Sequence, residues 1–297
     1  MTRICKQLVA GLFLTFALIS TLAAAQDAAS GLDPALLAKA NSGDAASQFQ
    51  VAVEYQKGDL VPRDFVQAEM WYRKAAELGD ARAQYNLGLL YLQKQSGIMK
   101  DEAQAVTWLR KAADQGNSGA QASLALCYSQ GHGVLRDDAQ ALAWYQKAVA
   151  QNNTDAMVNL ALLYARGQGV PKDDRQAFDL TSKAAELGAA NAQYQLGMDY
   201  DLGQGIKKDK NQAMAWYRKS AEQGNSWAQY NLGQLLGSNH AEAYFWLSLA
   251  VNHLVDTQAL EKATELRDAA AAKLKAAEKA DADQRIDQWH ATPATHP

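Results

Sequence analysis

The residue types that most often carry chemistry are few in this chain, and none is spaced for it. The five histidines, His132, His240, His253, His290 and His296, never fall into a metal-binding pattern such as H-E-x-x-H. There is no Ser-x-x-Lys and no G-x-S-x-G, the spacings that place a serine nucleophile beside its activating group. The cysteines are Cys5 and Cys127, so no metal-binding or redox pair is offered. Cys127, between Leu126 and Tyr128 on a helical stretch, is expected to be a buried, inert thiol. The glycine pairs Gly131/Gly133, Gly167/Gly169 and Gly203/Gly205 lack both the third glycine and the preceding strand of a phosphate-binding loop. No catalytic residue, cofactor or metal site is assigned.

Two polar series do recur. Asp64, Asp101, Asp137, Asp173 and Asp209 each stand three residues before a glutamine, at Gln67, Gln104, Gln140, Gln176 and Gln212. A row of acids could bind a cation, but helix capping explains the spacing without a ligand. Aspartate caps the first amides, and glutamine at the third position reaches back to the cap's own amide, as in a capping box. The second series is Gln50, Asn86, Ser123, Asn159, Gln195 and Asn231. Stacked in register, these side chains would form a row of amides, and an amide pairs with a peptide backbone as donor and as acceptor. Gln50, Asn86, Asn159, Gln195 and Asn231 are the candidate protein-binding residues, and a solvated helix face is the simpler alternative. Glu54, Leu90, Cys127, Leu163, Asp199 and Leu235, one turn on, vary in character as a specificity-setting surface would.

These series are positioned by an internal repeat. Ala83, Ala120, Ala156, Ala192 and Ala228 are separated by 37, 36, 36 and 36 residues, and Ser47 takes the place 36 before Ala83. A fixed period of this length marks a stacked-repeat architecture. Each unit divides into two helices. The first carries A-x-Y-x-L-G-x-x-Y with apolar positions on one face. Its interior small residue (Ala52, Gly88, Ala125, Ala161, Gly197 or Gly233) is expected where a neighbouring helix approaches closely. A glycine turn follows, then the Asp-capped second helix with Trp71, Trp108, Trp144 or Trp216 in its core face. Truncating such a buried aromatic to alanine would cost ~3–5 kcal/mol. Gly79, Gly116, Asn152, Gly188 and Gly224 end that helix, at the position where glycine is favoured and asparagine tolerated. The sixth repeat is short: 18 residues separate Ala228 from Trp246, against 24 from Ala192 to Trp216, and Asn239 with Glu242 is expected to replace the lost cap.

The expected organisation is a signal peptide over 1–25, a leader and capping half-repeat over 26–43, six repeats over 44–253, C-terminal capping helices over 254–289 and a disordered tail over 290–297. Arg3 and Lys6, the apolar Leu8–Leu22 stretch and Ala23-Ala24-Ala25 predict export with cleavage after Ala25, to the periplasm or the medium. The apolar run is short for a membrane span, so none is expected after cleavage. The formal charge of −3 becomes more negative once Arg3 and Lys6 are removed, which argues against a nucleic-acid partner. With 48% hydrophobic residues and Cys127 left alone, stability must come from packing rather than disulfides. A monomer is expected.

The motif A-x-Y-x-L-G-x-x-Y-x-x-G-x-G-V-x-x-D-x-x-x-A-x-x-W-Y-x-K-A-A-x-x-G, running from about Asp44 to His253, resembles the Sel-1-like repeat family, a class of α-solenoids related to tetratricopeptide repeats. Departures are local: Gln95-Ser96-Gly97 replaces the double glycine in the second repeat, and Leu180-Thr181 replaces Trp-Tyr in the fourth. The resemblance implies an all-α, right-handed solenoid of helix-turn-helix repeats with helical end caps. It also implies a protein-interaction scaffold that binds a protein or extended peptide, with the first helices lining the concave face. Secreted bacterial members serve in envelope signalling, envelope assembly and host interaction, so a host-directed virulence factor is one alternative. A cysteine-rich branch with β-lactam activity makes a cell-wall or β-lactam hydrolase another, but its cysteine pairs are missing here.

Overall fold

Asp33 caps the first described helix by accepting the Ala35 N–H at 2.8 Å, and Pro34, which has no N–H to leave unpaired, takes the first helical position. The computed structural model describes residues 31–93 and 95–292. The expected signal peptide and residues 293–297 lie outside them. Fifteen helices run along the described chain: α1 (Pro34–Asn41), α2 (Ala45–Lys57), α3 (Phe65–Glu77), α4 (Ala81–Leu92), α5 (Glu102–Asp114), α6 (Ser118–Gln130), α7 (Asp138–Val149), α8 (Thr154–Arg166), α9 (Asp174–Glu186), α10 (Ala190–Leu202), α11 (Lys210–Glu222), α12 (Ser226–Leu235), α13 (His240–His253), α14 (Thr257–Ala271) and α15 (Ala276–Gln288). No strand occurs among the described residues; Gln95 and Ile98 make one isolated bridge. The fold is all-α, a solenoid of stacked helix pairs. It divides into two compact units, residues 1–137 and 138–297.

In the first unit each helix packs on the next from α1 to α6. Its core joins Val51, Tyr55, Trp71, Tyr72, Leu87, Tyr91 and Trp108. In the second unit the same succession runs from α7 to α14, and α15 returns onto α13. Tyr244 donates to Asp283 Oδ1 at 2.6 Å to hold that return. The C-terminal region holds two helices, separated between Ala271 and Ala276. Of the final residues, Thr292 donates its N–H to the Glu222 carbonyl at 2.8 Å.

One joint is built the same way in most repeats. The second helix ends in a residue of positive φ, at Gly79, Gly116, Asn152, Gly188 and Gly224. The next residue closes that helix with its backbone and opens the following one with its side chain. Asn225 N–H donates to Ser220 O at 3.2 Å, while Asn225 Oδ1 accepts the Ala228 N–H at 2.9 Å. Asp80 and Asn117 do both jobs in the same way. Ala189 has no side chain for the second task, so α10 starts without a side-chain cap.

The Asp caps of the second helices form as expected, with Asp173 Oδ1 accepting the Gln176 N–H at 2.9 Å and Asp209 Oδ1 that of Gln212 at 3.1 Å. At Asp64, Asp101, Asp173 and Asp209 the reciprocal half of a capping box does not form among the described residues. The Asp backbone N–H is already committed across the turn: Asp64 donates to Tyr55 O, Asp101 to Tyr91 O, Asp137 to Tyr128 O, Asp173 to Tyr164 O and Asp209 to Tyr200 O, at 2.9–3.0 Å. Each bond satisfies a carbonyl that the end of the first helix would leave unpaired. Glutamine has nothing to reach back for, and Gln104 Nε2 instead donates to Asp101 Oδ2 at 2.9 Å.

The interior glycines mark close approach. A Cβ added at Gly197 would stand 2.6 Å from the Tyr217 ring, so α10 and α11 meet at a distance that no side chain allows. The buried tryptophans Trp71, Trp108 and Trp144 are each covered by a lysine three residues on, with Lys74, Lys111 and Lys147 Nζ 3.8–4.1 Å from the ring centroid.

Candidate protein-binding face

The predicted amide row lies on the first helices, and the structure ties most of its members to neighbours. In the first unit, Asn86 on α4 is half-buried and donates from Nδ2 to the Tyr72 hydroxyl on α3 at 3.1 Å. Tyr72 in turn donates to Gln56 Oε1 on α2 at 2.5 Å. Burial, the larger effect, pushes the Tyr72 phenol up to about 12, while the Asn86 bond favours its ionised form. Gln50 on α2 is exposed. Beside this chain, Arg73 and Tyr91 both hydrogen-bond Glu69, and Arg73 also meets the Tyr91 hydroxyl.

The second unit repeats the arrangement 145 positions later in the sequence. Asn231 on α12 lies beside the hydroxyls of Tyr217 on α11 and Tyr194 on α10 and favours their ionised forms, against the larger opposing effect of burial. The two rings lie 5.9 Å apart between centroids. Gln195 behaves differently because the tyrosine fourteen residues before it is absent: Thr181 stands there, and its hydroxyl is committed to Ala177 O at 3.0 Å. Gln195 Nε2 instead donates to Asp199 Oδ1 at 3.1 Å. Asn159, half-buried, donates to the Asp155 carbonyl within its own helix at 2.9 Å.

The neighbouring series, expected to vary as a surface, is largely buried. Leu90, Cys127, Leu163 and Asp199 are core positions. Burial pushes the Cys127 thiol up to about 11, so it is not a thiolate at neutral pH. Asp199 is a carboxylate where three of the other five repeats place leucine. Its burial pushes it up to about 6, against a smaller opposing effect from the Gln195 bond.

A third series escaped the sequence reading. Gln48, Gln84, Gln121, Gln193 and Gln229 are buried, and each donates from Nε2 to the carbonyl of an alanine eight residues earlier: Ala40, Ala76, Ala113, Ala185 and Ala221, at 3.0–3.2 Å. Met157 holds this place in the fourth repeat. These glutamines join repeats and are not binding residues. The legible signal was the dipeptide Ala-Gln opening four repeats.

A scan against protein-family models matches the Sel1 repeat at residues 45–80, 81–117, 118–153, 154–188, 190–225 and 228–253. The chain belongs to the Sel1 repeat family. A Sel1 repeat protein from Oxalobacter formigenes is 33% identical, with a TM-score of 0.69 over 78% of this chain and 68% of that one. The uropathogenic Escherichia coli protective antigen c5321, with an SLR fold, is 29% identical, with a TM-score of 0.63 over 86% of this chain. The present chain spans only 60% of that antigen's length. The Pseudomonas aeruginosa immunity protein Pa5087 shares the fold at 24% identity and a TM-score of 0.50, over 82% of this chain and 84% of that one. A search of curated proteins gave no match.

In both units the Sel1 repeats set an asparagine of a first helix against a tyrosine of the preceding second helix. Among the described residues no group of three or more His, Cys, Asp or Glu could hold a metal ion, and no helix is long and apolar enough to cross a membrane.

Proposed function

We propose that this Sel1 repeat chain is an exported, non-catalytic scaffold whose first helices bind an extended segment of another protein in the periplasm or outside the cell. The observation that carries the reading is the Asn–Tyr pairing that recurs in both units, Asn86 bonded to Tyr72 and Asn231 beside Tyr217. Holding an amide against a phenol fixes its rotamer, so less side-chain entropy is lost when a partner's backbone docks. Exposed Gln50 and half-buried Asn159 continue the same series on α2 and α8. The apolar leader at Leu8–Leu22 supports export, and the absence of any catalytic spacing favours binding over a cell-wall or β-lactam hydrolase. An adaptor in envelope regulation or assembly is the role this architecture suits.

Site-specific photocrosslinking tests the face. A crosslinker at position 50 or 159 should yield a partner adduct in native envelope extract, whereas one at Leu135, which is 91% exposed on an inter-helix loop, should not. Adducts only at Leu135, or at none of the three, would place binding elsewhere.

A further inference from the structure

Where α12 passes α14 the structure holds an open cleft of about 500 Å³, within the range of ligand-binding pockets. α14 occupies the place of a seventh first helix: Asp256 caps it by accepting the Ala259 N–H at 2.8 Å, as Asn225 accepts that of Ala228. One wall is aromatic. Trp227 is 39% exposed, a cost that packing does not explain, and it meets Tyr230 edge-on with centroids 6.3 Å apart. The other five repeats carry Ala46, Arg82, Gly119, Asp155 and Asn191 at this register, so Trp227 is not part of the repeat's scaffold.

The opposite wall is acidic. Gln258, Glu261, Lys262 and Glu265 share one face of α14. Lys262 Nζ is drawn onto Glu265 Oε2 at 2.8 Å. Glu261 has no ion-pair partner among the described residues, and Asp256 meets only the Ala259 amide, so two carboxylates face the cleft without a cation. The lining thus carries a net negative charge beside an exposed indole.

We propose that this cleft receives an arginine side chain on an extended segment of the protein partner. A guanidinium is flat enough to stack on the Trp227 indole while its N–H groups fork onto Glu261 and Asp256; an ammonium would meet the acids only as a point charge. This rests on the scaffold reading but adds to it a chemical preference and a location at the C-terminal end of the repeats.

The test uses the full chain and two blocked tripeptides, acetyl-Ala-Arg-Ala-amide and its citrulline counterpart, with the Trp227 indole N–H followed by NMR and assigned by its loss in Trp227→Phe. The arginine peptide should shift that signal at millimolar concentration, and the citrulline peptide should bind at least about tenfold more weakly. Trp227→Ala, followed on backbone amides of α14, and Glu261→Gln should each weaken binding by about threefold or more, with circular dichroism melts unchanged because both side chains are exposed. Equal binding of the two peptides, binding indifferent to both substitutions, or no shift at all would overturn the proposal. Peptide binding without adducts at positions 50 and 159 would sink the amide-row face and leave the cleft standing; adducts without peptide binding would do the reverse.

Discussion

Gln223 Nε2 donates to Gln193 Oε1 at 2.7 Å across 30 residues of sequence, and Gln115 Nε2 to Gln84 Oε1, also at 2.7 Å, across 31. The acceptor in each pair is the buried glutamine whose own Nε2 holds the preceding alanine carbonyl, so both ends of that amide are used. Gln48 keeps the carbonyl bond, but its Oε1 has no partner, because the residue thirty positions on is Leu78. Leu78 is itself 59% exposed. Leu78→Gln should therefore raise the thermal midpoint, by about 0.5–1.5 kcal/mol of added stability. The gain should vanish in a Gln48→Met background, and a gain that persists there would refute the pairing.

The split cap predicts an asymmetry. Asp173→Ala removes the acceptor of the Gln176 amide and should cost about 1 kcal/mol in chemical denaturation. Gln176→Ala should stay within about 0.5 kcal/mol of the parent, as an exposed substitution without a partner does. Equal losses would mean that the reciprocal bond forms in solution.

Asp199 gives a pH dependence of definite sign. Its folded-state value of about 6 lies above the ordinary 3.8, so the folded chain binds a proton more readily than the unfolded one. The contribution of this group to stability is greatest below about pH 4, falls as pH rises through 4–6, and stays low above. Asp199→Leu, the residue found at Leu90 and Leu163, should stabilise the chain at pH 7 by on the order of 1–3 kcal/mol and gain less at pH 4. A benefit independent of pH would show that the carboxylate is solvated.

Two glycines of positive φ should respond differently to alanine. A Cβ at Gly205 would stand 2.2 Å from the Asp174 carbonyl oxygen, whereas one at Gly43 would meet nothing within 4 Å. Gly43→Ala should cost about 1 kcal/mol for its backbone conformation alone, and Gly205→Ala clearly more. Similar denaturation midpoints for the two would remove the contact from the account.

What could be read in advance was what is local. The period, the Asp caps, the positive-φ helix ends and the close approach at Gly197 each follow from a residue and its neighbours along the chain. What could not be read crosses between helices. Nothing in the sequence around Asp209 shows that its N–H is taken by Tyr200, and Ala-Gln looks like an ordinary helix start until Ala221 O is seen beside Gln229. The candidate face was legible as a series of amides, but its attachment to Tyr72 and Tyr217 was not, because that depends on the angle at which α4 meets α3 and α12 meets α11. Trp227 passed unnoticed because it stands outside the recurrent positions.

The glutamine donating to an alanine carbonyl has a consequence for how such a chain can grow. The group it grasps is main chain, which every residue possesses, and the second turn glycine likewise rests on a main-chain oxygen, that of Glu102 under Gly133 and that of Asp174 under Gly205. Contacts that grasp only main chain ask nothing of a neighbour's side chains beyond the packing that every repeat preserves. Copies can be duplicated, deleted or shuffled in whole units while their outward residues drift, and a new binding specificity can arise without rebuilding the seam that holds the stack together.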